Sequence, residues 1–273
     1  MPIKMNEPMI NEKLYNFLLF SYFGMDLKEI SFSEKQTIMF KCAQAAYQDL
    51  KRTLRFNKTE SKVKNSEKNI VKAEHLGFCN EICKIICQQV PLLLNCSNMK
   101  EFDEKHRQIC ELIKAKANDS DKLIIIKNGK EYLTLERTNE KLYYGQSQKW
   151  LNMTLKYMWL LGLWKNEFDK IVPFMHIPVD SFIIESVWKD TNIKLPSLTD
   201  RAKKEYSDDK VVPWSKWTFE EYIGFQDSLR TNCVKKNPIE WEISAWIDIA
   251  RKRKEDEYEI IMKILEDLNH NSK

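Results

Sequence analysis

Glycine and proline are scarce in this chain, at 6 and 8 of 273 residues. A strand-and-turn architecture needs many residues that tolerate tight backbone bends, so this composition disfavours one and favours helices. A long apolar run is also missing. The most apolar early segment, LYNFLLFSYF at 14–23, is shorter than the roughly 20 residues of a bilayer span and carries no small-residue cleavage site. It reads as a buried helix of a cytoplasmic protein with no membrane partner. The seven cysteines follow no secretory signal and read as reduced thiols. Cys79, Cys83 and Cys87, with His75 before them, recur every four residues and so share one helix face. They lack the second close-spaced ligand pair that a metal site needs, and they are expected to be small apolar residues on a core face. No metal or other cofactor is expected.

Hydrophobic residues at 43% and charged residues at 31% suffice for a packed core and exclude global disorder. The length suits one large domain or two lobes. The division expected is a helical region over 1–120 and a second region over 121–273. A formal charge of +4 with a pI near 8.5 permits an anionic partner such as nucleic acid without demanding one. The positive charge is concentrated: residues 51–72 hold eight Lys or Arg against two Glu, a net of +6. Within that stretch NKTESKVKNSEKNI (57–70) has almost no apolar content and reads as a loop. It is either a solvated connection or an arm whose Lys58, Lys62 and Lys64 contact phosphates.

Apolar periodicity of three and four predicts helices over 11–29, 33–56 (with Ser33 as N-cap), 70–94, 98–117, 146–162, 218–233 and 238–268, and another beginning near Asp180. DKLIIIKNGKEYLTLE (121–136) holds two β-rich runs around Asn128-Gly129, a strong hairpin signal. The segment 189–213 is polar and proline-containing and reads as a long loop. The fold class is mainly α with a small β-hairpin, without internal repeats.

One stretch conflicts with helix rules. YYGQSQKWLNMTLKYM (143–158) places Lys149 near a helix start, just after Gly145. There a cation meets the positive end of the macrodipole, at a cost of about 0.3–1 kcal/mol. The same field favours a neutral amine, which a lysine nucleophile requires. Beyond it Trp150, Met153 and Tyr157 form one core-like stripe and Leu151, Leu155 and Met158 a second. Lys149, Asn152 and Lys156 share the remaining polar face. A second stretch is MHIPVDSFIIESVW (175–188). Pro178 fixes an extended entry, and Asp180 or Ser181 can cap the helix that follows. Capping alone is a complete explanation of Asp180.

Together the two stretches are more specific. Gly145-Gln146-Ser147-Gln148-Lys149 before an apolar helix, then Ile-Pro-Val-Asp180 opening another, resembles the helix-hairpin-helix DNA glycosylases. The likeness is greatest to their 8-oxoguanine DNA glycosylase branch. It extends over about 140–190, and less closely to about 235. The resemblance implies a helix-hairpin-helix fold, a phosphate-contacting hairpin at 145–148, Lys149 as nucleophile and Asp180 as catalytic carboxylate. It also implies that Met153 lines a base pocket. Phe225 and Gln226 on the 218–233 helix are candidates for stacking on an extruded base and reading its edge, with Asn152 beside the nucleophile as a further contact. The 31-residue separation of Lys149 and Asp180 is longer than in eukaryotic-type enzymes and closer to the archaeal type. Ser147 departs from the pattern, because the family hairpin commonly carries glycine there. PWSKWTFEEYIGFQDSLR and WEISAWIDIA resemble compact glycosylase-like proteins of bacterial anti-phage islands of the cyclic-nucleotide (CBASS) type. Two other readings stay open: a non-catalytic helix-hairpin-helix nucleic-acid-binding module, and a helical interaction protein in which both motifs are caps and core.

Overall fold

The computed structural model describes residues 7–53, 68–118, 122–127, 130–136, 142–188, 193–196, 212–232 and 237–270. Lys58, Lys62, Lys64, the Asn128-Gly129 turn, most of 189–213 and the side chain of His75 lie outside them. The chain is mainly helical and divides into two compact units, Met1–Phe174 and Met175–Lys273. The boundary is therefore not at 120/121. The 121–136 hairpin and the 146–162 helix, expected in the second region, belong to the first, where the helix packs against helices from the first 120 residues.

The first unit comprises α1 (Glu7–Phe23), α2 (Leu27–Phe32), α3 (Lys35–Leu50), α4 (Lys68–Leu94), α5 (Met99–Asn118), the antiparallel strands β1 (Lys122–Lys127) and β2 (Lys130–Glu136), α6 (Tyr144–Leu161) and α7 (Lys165–Ile171). The single helix expected over 11–29 is broken. Gly24 adopts φ 64°, the left-handed conformation that ends a helix. Asp26 then starts α2 with a reciprocal capping box to Glu29. Ser33 caps the C-terminus of α2 through its N–H to Glu29 O, and Glu34 is the N-cap of α3. The N-cap thus sits one residue later than expected, because the carbonyl of Glu34 takes the first intrahelical bonds, from Thr37 and Ile38. Gly162, at φ 71°, ends α6, and the connection after it contains α7, whose Phe168 and Ile171 are buried.

Helix α6 lies in the core of this unit, packed on α3 and α5. Small side chains on α3, Ala43 and Ala46, are fully buried and allow close approach. The Trp150 indole N–H donates to Ala43 O at 2.9 Å, and its ring lies 5.0 Å from that of Tyr47. Phe102, Ile109 and Ile113 of α5 and Ile82, Ile86, Val90 and Leu93 of α4 supply the rest of the core at helical spacing. Cys79, Cys83 and Cys87 stand on that same buried face of α4. Burial pushes the Cys87 thiol up to about 12, and raises Cys42 and Cys110. Among the described residues no group of three or more His, Cys, Asp or Glu is arranged to hold a metal.

A polar cluster ties α1 to this core. The hydroxyls of Tyr22 and Tyr157 converge on the Asp49 carboxylate, one on each oxygen, with the two phenolic oxygens 2.6 Å apart. Burial raises both phenols above their ordinary range, and the negative charge of Asp49 adds to the shift. A group with a raised folded-state pKa binds its proton more tightly in the folded state. Its stabilising effect is present below the ordinary phenol value of about 10 and is lost as pH rises above it. Absorbance titration should therefore find fewer than the ten tyrosines ionising reversibly near pH 10, the remainder appearing only as the protein unfolds in alkali. Titration of all ten in the native state would show the cluster to be open.

Among its described residues the second unit holds α8 (Ser181–Val187), α9 (Phe219–Asn232) and α10 (Pro238–His270), with a 3-10 turn at Trp214–Lys216. Helix α8 docks on α10. The Phe182 and Trp246 rings stack at 4.9 Å, the Arg253 guanidinium lies 4.0 Å over Phe182, and Arg253 Nε donates to Glu185 at 3.0 Å. The inward face of α9 carries Tyr222, Phe225, Gln226 and Leu229, all buried at helical spacing. No helix among the described residues is long and apolar enough to cross a membrane.

Candidate active site

Helix α6 begins two residues earlier than its apolar pattern predicts, because Gln146 reaches back and its Oε1 accepts from the Tyr143 N–H at 3.0 Å. Gly145, Gln146, Ser147 and Gln148 therefore lie inside the helix, and all four are buried. Gln146 Nε2 donates to Thr53 O at 2.8 Å, Ser147 Oγ to Tyr144 O at 3.0 Å and Gln148 Nε2 to Gly145 O at 2.8 Å. The Gln146 and Ser147 N–H groups both go to Tyr143 O. This corrects the expectation of a hairpin whose polar groups meet phosphates: they are bonded within the protein instead. Lys149 is the sixth helical residue rather than one of the first turn. The macrodipole acts chiefly over that first turn, so the electrostatic conflict read from the sequence is weaker than expected. Burial takes its place, since Lys149 is only 6% exposed, a rare state for lysine.

Of the rest of the supposed polar face, Asn152 is fully buried and Lys156 half-buried. Gly145 O can only accept, so Gln148 must present Nε2 to it and Oε1 to Asn152. Asn152 then donates Nδ2 to Gln148 at 2.9 Å and presents Oδ1 to His106 Nε2 at 2.7 Å. His106 must carry its proton on Nε2, leaving Nδ1 to face the Tyr144 hydroxyl at 3.4 Å and Cys110 Sγ at 3.7 Å. One backbone carbonyl thus fixes the sense of the whole chain. His106 and Asn152 are fully buried, and buried polar networks of this kind hold their members to one geometry. Asn152 is held within this buried chain and is not an open contact for a base. Met153, one turn beyond Lys149, is half-buried.

Asp180 belongs to the second unit. Its backbone is extended, and its Oδ1 accepts both caps of α8, from Phe182 N at 2.9 Å and Ile183 N at 3.1 Å. The residues leading to it, Met175, His176, Ile177 and Val179, are buried. Two side chains one turn apart on α9 hold them. The Tyr222 hydroxyl meets His176 Nδ1 at 2.8 Å. Gln226 clamps the Ile177 backbone from both sides, its Nε2 donating to the carbonyl at 2.9 Å and its Oε1 accepting from the N–H at 3.1 Å.

This corrects the role expected of Gln226. Its amide reads a backbone rather than a base edge. Phe225 is likewise a core residue, 1% exposed and edge-to-face with Trp217 at 5.2 Å. Gln226→Leu removes both bonds to a buried backbone and should destabilise the second unit by about 2–6 kcal/mol, at roughly 1–3 kcal/mol for each backbone group left unpaired. Thermal denaturation reads this directly, and an unchanged melting temperature would mean the clamp contributes nothing. Sequence reasoning missed His106, His176 and Tyr222. The one available signal was the four-residue spacing of Tyr222 and Gln226.

No family model, no curated protein and no solved structure matches the chain.

Proposed function

We propose that the protein is an N-glycosylase acting on a base of nucleic acid or of a nucleotide, by lysine chemistry of the 8-oxoguanine DNA glycosylase type, in an anti-phage setting. The observation that carries the reading is the pair of motifs around Lys149 and Asp180. The support from the structure is that both residues have prepared surroundings. Lys149 is a buried lysine flanked by the ordered Gln148–Asn152–His106 chain, and Asp180 ends a buried, doubly clamped segment. Functional groups need ordered neighbours that hold them to one geometry.

In this reading Lys149 Nζ attacks C1′ of the sugar. The Nζ–C1′ bond forms as the C1′–N bond breaks, and the electron pair leaves with the base, which takes up a proton. Positive charge on the sugar is stabilised by the Asp180 carboxylate, which also accepts the proton lost by the amine. Opening of the sugar at O4′ leaves a Schiff base on the lysine, released by water. The target base leaves its stack to react. No cofactor enters these steps. The test is release of free base, resolved by chromatography, from a panel of single-stranded, duplex and mononucleotide substrates carrying normal and oxidised bases. Release from at least one class is expected, and release from none would overturn the proposal.

A further inference from the structure

The first unit carries a groove that the proposed chemistry does not use. It has a volume of about 550 Å³, within the roughly 300–1,000 Å³ of small-ligand sites. One wall is a stripe along α3 made by Lys41, Gln44 and Gln48 and continued by Lys51, at the three- and four-residue spacing that keeps side chains on one helix face. The other wall is the C-terminal end of α1, where Tyr22 and Phe23 face the groove beside Gly24.

Charge and shape together define the ligand. Lys41 has no ion-pair partner among the described residues, and the Lys51 ammonium meets only the neutral Gln48 amide at 2.6 Å. Two cations thus face one concave surface without carboxylates of their own. They are ten residues apart, about 15 Å along a helix, too far for one phosphate to serve both backbone positions and suited to charges spaced along a chain. Between them stand aromatic rings and amides, Tyr22 remaining 46% exposed. Spaced anionic charge with flat rings between is the chemistry of a nucleic-acid strand whose bases are unpaired, since aromatic side chains stack on free bases and lysines follow the phosphates. We propose that this groove binds a few nucleotides of single-stranded nucleic acid, phosphates against Lys41 and Lys51 and a base on the Tyr22–Phe23 end. The site lies wholly within the first unit and does not depend on the reaction assigned to Lys149.

The test is fluorescence anisotropy with a fluorescein-labelled short oligothymidylate, titrated over a range of salt. The wild type should bind it. Lys41→Gln with Lys51→Gln should weaken binding about tenfold and reduce the slope of log affinity against log salt by about 1.4, at roughly 0.7 per phosphate contact on a single strand. A double variant with the same charge change on α7, Lys165→Gln with Lys170→Gln, should bind as the wild type does. A strand substituted with 5-iodouridine should photocrosslink to the peptide carrying Tyr22 and Phe23. Equal losses in the two double variants would mean that net charge alone is responsible, and would overturn the site. So would unchanged affinity in the Lys41/Lys51 variant, a preference for duplex, or displacement of the strand by thymidine monophosphate or pyrophosphate at equal concentration. The comparison needs no base release, so failure of the groove and failure of the glycosylase reading give different results.

Discussion

Lys149→Met should give a folded protein that releases no base. The substitution keeps an unbranched stem in a buried position and removes only the amine that would attack C1′. Gln148 is held through Gly145 O and Asn152 through His106. Base release should fall below detection while the protein remains folded. Lys149→Ala should be equally inactive but less stable, because it truncates a side chain that is only 6% exposed and opens a void in the core. Full activity in the folded Met variant would end the assignment and make Lys156, two turns on, the next candidate.

Asp180→Asn separates a cap from a charge. Both caps of α8 end on the same oxygen, Oδ1, and an asparagine carbonyl can accept them as well as a carboxylate does. Stability should therefore change by less than about 1 kcal/mol. Removal of the negative charge should cost at least about 10²–10³-fold in rate, the scale on which loss of one electrostatic stabiliser is felt in other active sites. Asp180→Ala should lose the same activity and also about 0.5–2 kcal/mol of stability with the cap. Wild-type turnover in the Asn variant, or its failure to fold, would make Asp180 purely structural.

The helical character of the chain was legible because periodicity is a local property. Ile38, Met39, Cys42, Ala46 and Leu50 on α3, or Phe102, Ile109 and Ile113 on α5, announce a buried face within a single window. The cysteine face of α4 was legible for the same reason. The interior of the candidate site was not. Asn152 beside Lys149 reads as a solvated residue until His106, 46 residues away, closes on it. Gln226 reads as a surface glutamine with a free amide until Ile177, 49 residues away, fills both ends of it. Neither partner leaves a mark in the window that contains the residue. The start of α6 was misplaced by a smaller effect of this kind. Gln146 reaching back to the Tyr143 N–H extends the helix through Gly145, a residue that reads as a break. The unit boundary also escaped notice, since the connection after α6 gives no compositional sign at 174/175.

Borohydride trapping followed by peptide mapping bears most directly on the proposed lysine chemistry. Reduction converts a Schiff base between lysine and sugar into a stable secondary amine. Wild-type protein incubated with a substrate strand and borohydride should give a covalent protein–nucleic acid adduct, and mass spectrometry of its proteolytic peptides should place the sugar remnant on Lys149. The adduct should be absent from Lys149→Met. An adduct on any other lysine, or base release without any trappable adduct, would contradict Lys149 as the nucleophile.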